Sequence, residues 1–163
     1  MSYFFSYIKF LLSATNQHGV HSPFVYAFVT KCVYNKKGYS KQTSLNLFLK
    51  SLEYFNIKNV NISDVDQKVR LQISHSFSHI KLDSRSNNFW YISCLKEERL
   101  SKLMQQAQFQ NDSIVFIDGI FKDKKAWESL IVSDKIRVSI NFFYGGILFF
   151  RKEQVKEDFK IRT

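Results

Sequence analysis

Apolar positions recur at helical spacing through the first third of the chain and in short runs after it. As a helix, Tyr3 to Ala14 places Tyr3, Phe4, Tyr7, Ile8, Leu11 and Leu12 on one stripe, with Phe5 and Phe10 partly outside it. Such a stripe docks on the rest of a domain. Ser22 is a good N-cap and Pro23 suits the first helical position, which predicts a second helix to about Tyr34. The stretch Asn35-Lys36-Lys37-Gly38 reads as its exit. A third helix is predicted from Gln42 to Tyr54, with Leu45, Leu49 and Leu52 on one face and Phe48 beside them.

From Lys58 the pattern becomes strand-like runs separated by helices. Lys58–Ser63, His79–Leu82, Asn88–Ser93 and Ser113–Asp118 read as strands, and Lys96–Phe109 and Asp123–Val132 as helices. Ile136–Phe143 and Gly146–Arg151 form a hairpin through Tyr144-Gly145, and Phe159–Arg162 ends the charged tail in a strand-like run. Strand–helix alternation implies an α/β fold with a parallel sheet, to whose edge the hairpin adds an antiparallel strand; Ser113–Asp118 is expected to be central, with Gly145–Phe150 antiparallel beside it. The organisation is an N-terminal helical region, residues 1–57, before an α/β core, residues 58–163, the two making one compact unit.

Composition narrows the class. With 163 residues, 45% of them apolar, the chain can bury a real core and is neither disordered nor fibrous. The 17 Phe and 8 Tyr predict a heavily packed core or an apolar surface that needs a partner. Cys32 and Cys94 could form at most one bridge, so a reducing, cytoplasmic setting is expected. The net charge of +10 is concentrated in the first 82 residues, which carry 10 Lys and Arg against 3 acids. That excess would attract nucleic acid, anionic lipid or an acidic protein, although no nucleic-acid-binding motif accompanies it. No apolar run reaches the roughly 20 residues of a membrane-spanning helix. A membrane-surface role for Tyr3 to Ala14 has only Lys9 on its polar face.

Three stretches carry a resemblance: Asn16-Gln17-His18-Gly19-Val20-His21-Ser22-Pro23-Phe24, Leu45 to Val60, and Asn111 to Thr163. In these the chain resembles a family of class I S-adenosylmethionine-dependent methyltransferase-like proteins of Bacteroidetes bacteria. Asn88 to Phe109 matches more weakly. The resemblance implies a Rossmann-like sheet and a cofactor site at the carboxyl ends of its strands.

The middle of the chain departs from that family. No glycine occurs from residue 39 to residue 118, so the glycine-rich turn after the first strand is absent. Only 25 residues separate Ser63 from Phe89, where the family places two strands and their crossover helices. The length predicts that the second strand is deleted, together with the acid at its end, and that the sheet is truncated. Asp64 or Asp66 could replace that acid only by coincidence of geometry. Ser93-Cys94 stands where the family has an acidic Asp-Gly pair, whereas Asp118-Gly119 is retained.

The candidate residues have alternative roles. Asp64 and Asp118 are the candidates for cofactor contacts. Asp118 could bind a metal or act as a base, or cap the turn that follows it. Asn16, His18, His21 and Ser22 belong to the N-terminal signature; His18 and His21 either line a pocket or hold a substrate group, or make turn and capping hydrogen bonds before the Pro23 helix. His75 and His79 lack further metal ligands at suitable spacing, Cys94 lacks a paired His, and Trp90 and Trp127 read as packing residues. The expected function is a methyltransferase-like protein that has lost cofactor binding and catalysis and serves as a binding or structural module, as a homodimer or with a protein partner. No metal and no cofactor are expected. The alternatives are an active methyltransferase using S-adenosylmethionine at an atypical site and a basic nucleic-acid-binding module.

Overall fold

A computed structural model describes residues 3–62, 66–82, 88–93 and 109–163. The predicted helix at 96–109, the candidate Asp64 and Cys94 therefore lie wholly or almost wholly outside the described residues. The chain begins with α1 (Tyr3–Ser13), a 3-10 turn (Gln17–Gly19), α2 (Pro23–Phe28) running into a π turn (Val29–Val33), and α3 (Thr43–Tyr54). The α/β part follows as β1 (Asn59–Ile62), α4 (Gln67–Ser76), β2 (Lys81–Leu82), β3 (Phe89–Ile92) and β4 (Ile114–Asp118). A 3-10 turn (Ile120–Lys122), α5 (Lys124–Ile131), β5 (Val138–Asn141), β6 (Gly145–Phe149) and β7 (Glu157–Lys160) complete it.

The strands form one mixed sheet of seven in the order β2-β1-β3-β4-β6-β5-β7. Six run parallel; β6 alone is antiparallel to its neighbours β4 and β5. Three expectations are corrected. The sheet is not reduced in strand count, because the charged tail supplies β7, parallel to β5. The interval between β1 and β3, expected to have lost a strand and its helical cover, holds β2, which pairs with β1, and α4 before it. The hairpin's antiparallel strand is interior rather than marginal, since β6 sits between β4 and β5.

Local chemistry explains the elements. Ser22 Oγ accepts from the Val25 amide at 3.4 Å and Asp123 Oδ1 accepts from Ala126 at 3.0 Å, so both predicted caps form. The four apolar residues of β4, Ile114 to Ile117, are all buried, as a strand covered on both faces requires. One face carries α2, α3 and α4, with Phe28, Phe48 and Ile73 in a single apolar cluster with Val60, Phe89 and Phe116. The other face packs Trp127 and Leu130 of α5 on Val115, Ile117 and Leu148.

At the carboxyl edge of β4 and β5, α1 closes a third cluster. Phe143, in the β5–β6 loop, has φ +71°, a conformation rare for an aromatic residue. Its ring is held by Tyr7 at 4.9 Å, Phe10 at 5.4 Å and Phe121 at 5.4 Å. The apolar stripe expected on α1 is therefore divided. Tyr7, Phe10 and Leu11 pack inward with Ala14, because the Phe143 loop meets that side, whereas Phe4, Ile8 and Leu12 face solvent.

Candidate functional site

In open α/β sheets, ligands bind outside the carboxyl ends of the strands, at the point where strand order reverses. Here that point lies between β1 and β3, since β2 adds on one side of β1 and β3 on the other. The described groups at this mouth are Asp66, Tyr91 and Asp118.

Asp118 ends β4 and is half-buried, and Tyr91 donates its hydroxyl to Asp118 Oδ2 at 3.3 Å. The Tyr91 ring is buried and stacks parallel to Phe116 at 6.3 Å. Burial pushes the Tyr91 phenol well above its ordinary range, and the carboxylates of Asp118 and Asp66 push it further. Gly119 follows with φ +69°, a left-handed turn that glycine adopts without strain, and its amide donates to Tyr144 O at 2.7 Å.

Asp66 stands at the N-cap of α4, yet its side chain caps nothing. Its Oδ2 is buried without a hydrogen-bond partner among the described residues. Ser44, in the first turn of α3, is buried and its Oγ is likewise unpartnered. A Cβ built on Gly145 would lie 2.5 Å from that hydroxyl, so glycine is what lets α3 approach the strand end opposite Asp118. The edge thus holds two carboxylates, a phenol and a hydroxyl. That donor set suits a ligand bearing hydroxyl or ammonium groups, because an unmet buried acceptor is costly.

The N-terminal signature is elsewhere. Asn16 Oδ1 accepts from the His18 amide at 3.0 Å, and Ser22 Oγ donates to Gln154 at 3.3 Å. The Thr15 amide donates to Lys160 O at 2.9 Å, so this segment runs along β7 and covers the sheet's edge strand. His18 and His21 are exposed, and nothing among the described residues brings them to Asp118. Asn16 and Ser22 make capping hydrogen bonds. His75 and His79 are exposed, and no group of three potential metal ligands gathers among the described residues. Trp127 is a packing residue. The thiol of Cys32 is buried, which pushes its pKa up to about 12.

Sequence reasoning missed Tyr91, whose role depends on strand order, and Ser44, whose role depends on Gly145. It also passed over Asp83, which follows Leu82 directly in the sequence and lies outside the described residues. An acid directly after a strand-like run was the available signal. No helix among the described residues is long and apolar enough to cross a membrane. No protein-family model, curated protein or solved structure matches the chain.

Proposed function

We propose that the chain is a class I methyltransferase-like protein that has lost useful binding of S-adenosylmethionine and acts as a non-catalytic binding or structural module. The strand order, with one antiparallel strand set between β4 and β5, supports the ancestry. One observation carries the loss: the interval from residue 39 to residue 118, which includes the whole β1–α4 connection at the switch point, contains no glycine. Close approach of backbone to a nucleotide-like ligand uses glycine there. Along the same mouth, the Tyr91 hydroxyl is already engaged by Asp118.

A second reading, retained binding at an atypical site, is favoured by the unpartnered Oδ2 of Asp66 and by Asp83 directly after β2. Where the cofactor binds, it would supply an activated methyl group, and among the described residues Asp66 would hold it. Titration calorimetry with S-adenosylmethionine and S-adenosylhomocysteine separates the readings. No heat at millimolar ligand is expected. Micromolar binding that Asp66→Asn or Asp83→Ala weakens at least tenfold overturns the proposal.

A further inference from the structure

α1 leaves a contiguous apolar ridge uncovered. Phe4 is 62% exposed, Phe5 60% and Leu12 83%, and Ile8 lies between them on the same arc of the helix. The other exposed aliphatics of note, Leu71, Val132 and Val155, are separated in the chain and in different elements. Isolated residues of that kind are ordinary, whereas a ridge of two phenylalanines, an isoleucine and a leucine on one helix is not.

The helix that carries the ridge is basic. α1 contains no acid, and Lys9 is exposed at the ridge's boundary. Next to it, a cavity of about 230 Å³ between α1 and the sheet is lined by Lys9, Lys124 and Lys160. Lys122 stands nearby, 5.8 Å over the Phe121 ring. Lys124 is paired with Glu128 at 3.3 Å and so adds little net charge, and Asp123 caps α5. Lys9 on α1, with Lys122 and Lys160 beside it, gives the ridge a basic border, on a chain whose net charge is +10.

From this juxtaposition we propose that α1 lies in the interface of an anionic lipid bilayer, with Phe4, Phe5, Ile8 and Leu12 in the acyl boundary and the flanking lysines on the headgroups. An apolar helix face with lysines at its border suits the boundary between acyl chains and anionic headgroups. A second copy of the chain fits less well. A two-fold contact through α1 would bring the lysines of one copy against those of the other.

The test is sedimentation of the full chain with phosphatidylcholine vesicles, alone or containing phosphatidylglycerol. Binding to the anionic vesicles and not to the neutral ones is expected. The doubly substituted Phe5→Ser, Leu12→Ser chain should bind at least about tenfold more weakly, since its apolar contribution falls. Neutralising Lys9→Gln with Lys160→Gln should cost about tenfold or more, at roughly 1 kcal/mol per lysine near the surface. Both changes lie at exposed positions, and circular dichroism verifies folding. Equal binding to neutral vesicles, or undiminished binding by the folded Phe5/Leu12 variant, overturns the proposal. So does an absence of vesicle binding together with a dimer in light scattering that the Phe5/Leu12 variant dissociates, which would assign the ridge to self-association.

Discussion

Gly146 is a point of close approach between α5 and the sheet. It lies in β6, paired with Ile117 on one side and Asn141 on the other. A Cβ there would meet Trp127 Cη2 at 2.5 Å, Trp127 Cζ3 at 2.6 Å and Ile120 Cδ1 at 3.2 Å. Carbon atoms pack best at about 3.5–4.0 Å, so the indole would have to retreat by roughly 1 Å. It is buried and locked between Ile120 and Leu130, so the strain spreads into the helix. Gly146→Ala should destabilise the protein by about 3 kcal/mol, at the upper end of overpacking costs. The clashing atoms belong to the outer part of the indole, which phenylalanine lacks. Trp127→Phe alone should cost about 1.5 kcal/mol, and the double variant about 1 kcal/mol or more less than the sum of the two. Urea unfolding followed by far-ultraviolet circular dichroism gives all three values. A Gly146→Ala cost under about 0.5 kcal/mol, or strict additivity in the cycle, would refute the close approach of β6 and α5.

Two further outcomes follow from single side chains. Lys156 Nζ donates to Ile131 O, Ser133 O and Ile136 O at 2.5, 2.7 and 2.8 Å, meeting carbonyls at and just beyond the end of α5. Lys156→Met should therefore cost about 2 kcal/mol and lower the melting temperature by about 4–8 °C in a thermal scan; a change below a degree would argue against the cap. The folded Tyr91 phenol titrates above its unfolded value of about 10, so its contribution to stability is complete below pH 10 and is lost as pH rises from there. Between pH 10 and 11, wild-type stability should fall more steeply than that of Tyr91→Phe, by up to about 1.4 kcal/mol per pH unit. Parallel stability–pH curves would remove the buried phenol from the account.

The elements that were legible in the sequence are those whose burial is periodic. Phe48 and its leucine neighbours mark α3, and the apolar run of β4 marks a central strand, because packing selects those residues. α4 escaped notice because Ile73 is its single buried residue and no side chain caps it. β7 is a charged edge strand in which Phe159 is the only apolar residue, so its place depends on pairing with β5 rather than on its own pattern. The hairpin and the antiparallel pairing of Gly145–Phe149 with the central β4 were legible, whereas the addition of β7 beyond β5, which makes the hairpin interior, was not. Within the candidate site, Asp118 was visible as an acid ending a strand. Asp66, Tyr91 and Ser44 come to the same mouth only through the order β1-β3-β4 and the missing side chain at Gly145.

The same topology links the candidate site to α1. The inner face of α1 supplies Tyr7 and Phe10 to the cluster that holds Phe143 at φ +71°. A bulky residue in that region costs about 1–2 kcal/mol, so the loop keeps its form only while the ring remains packed. Asn141 Oδ1 accepts from the Phe143 amide at 2.7 Å, which fixes the start of the turn. The next residue, Tyr144, accepts through its carbonyl from Gly119, whose left-handed turn immediately follows Asp118. The outer face of α1 carries the exposed ridge and the inner face carries this support. A force that moves α1 against the sheet therefore acts first on Phe143 and then on the turn beside Asp118. The neighbouring Phe121 lies at 5.4 Å from Phe143 and within the 3-10 turn that leads to α5, so the same displacement also reaches the helix packed on Gly146.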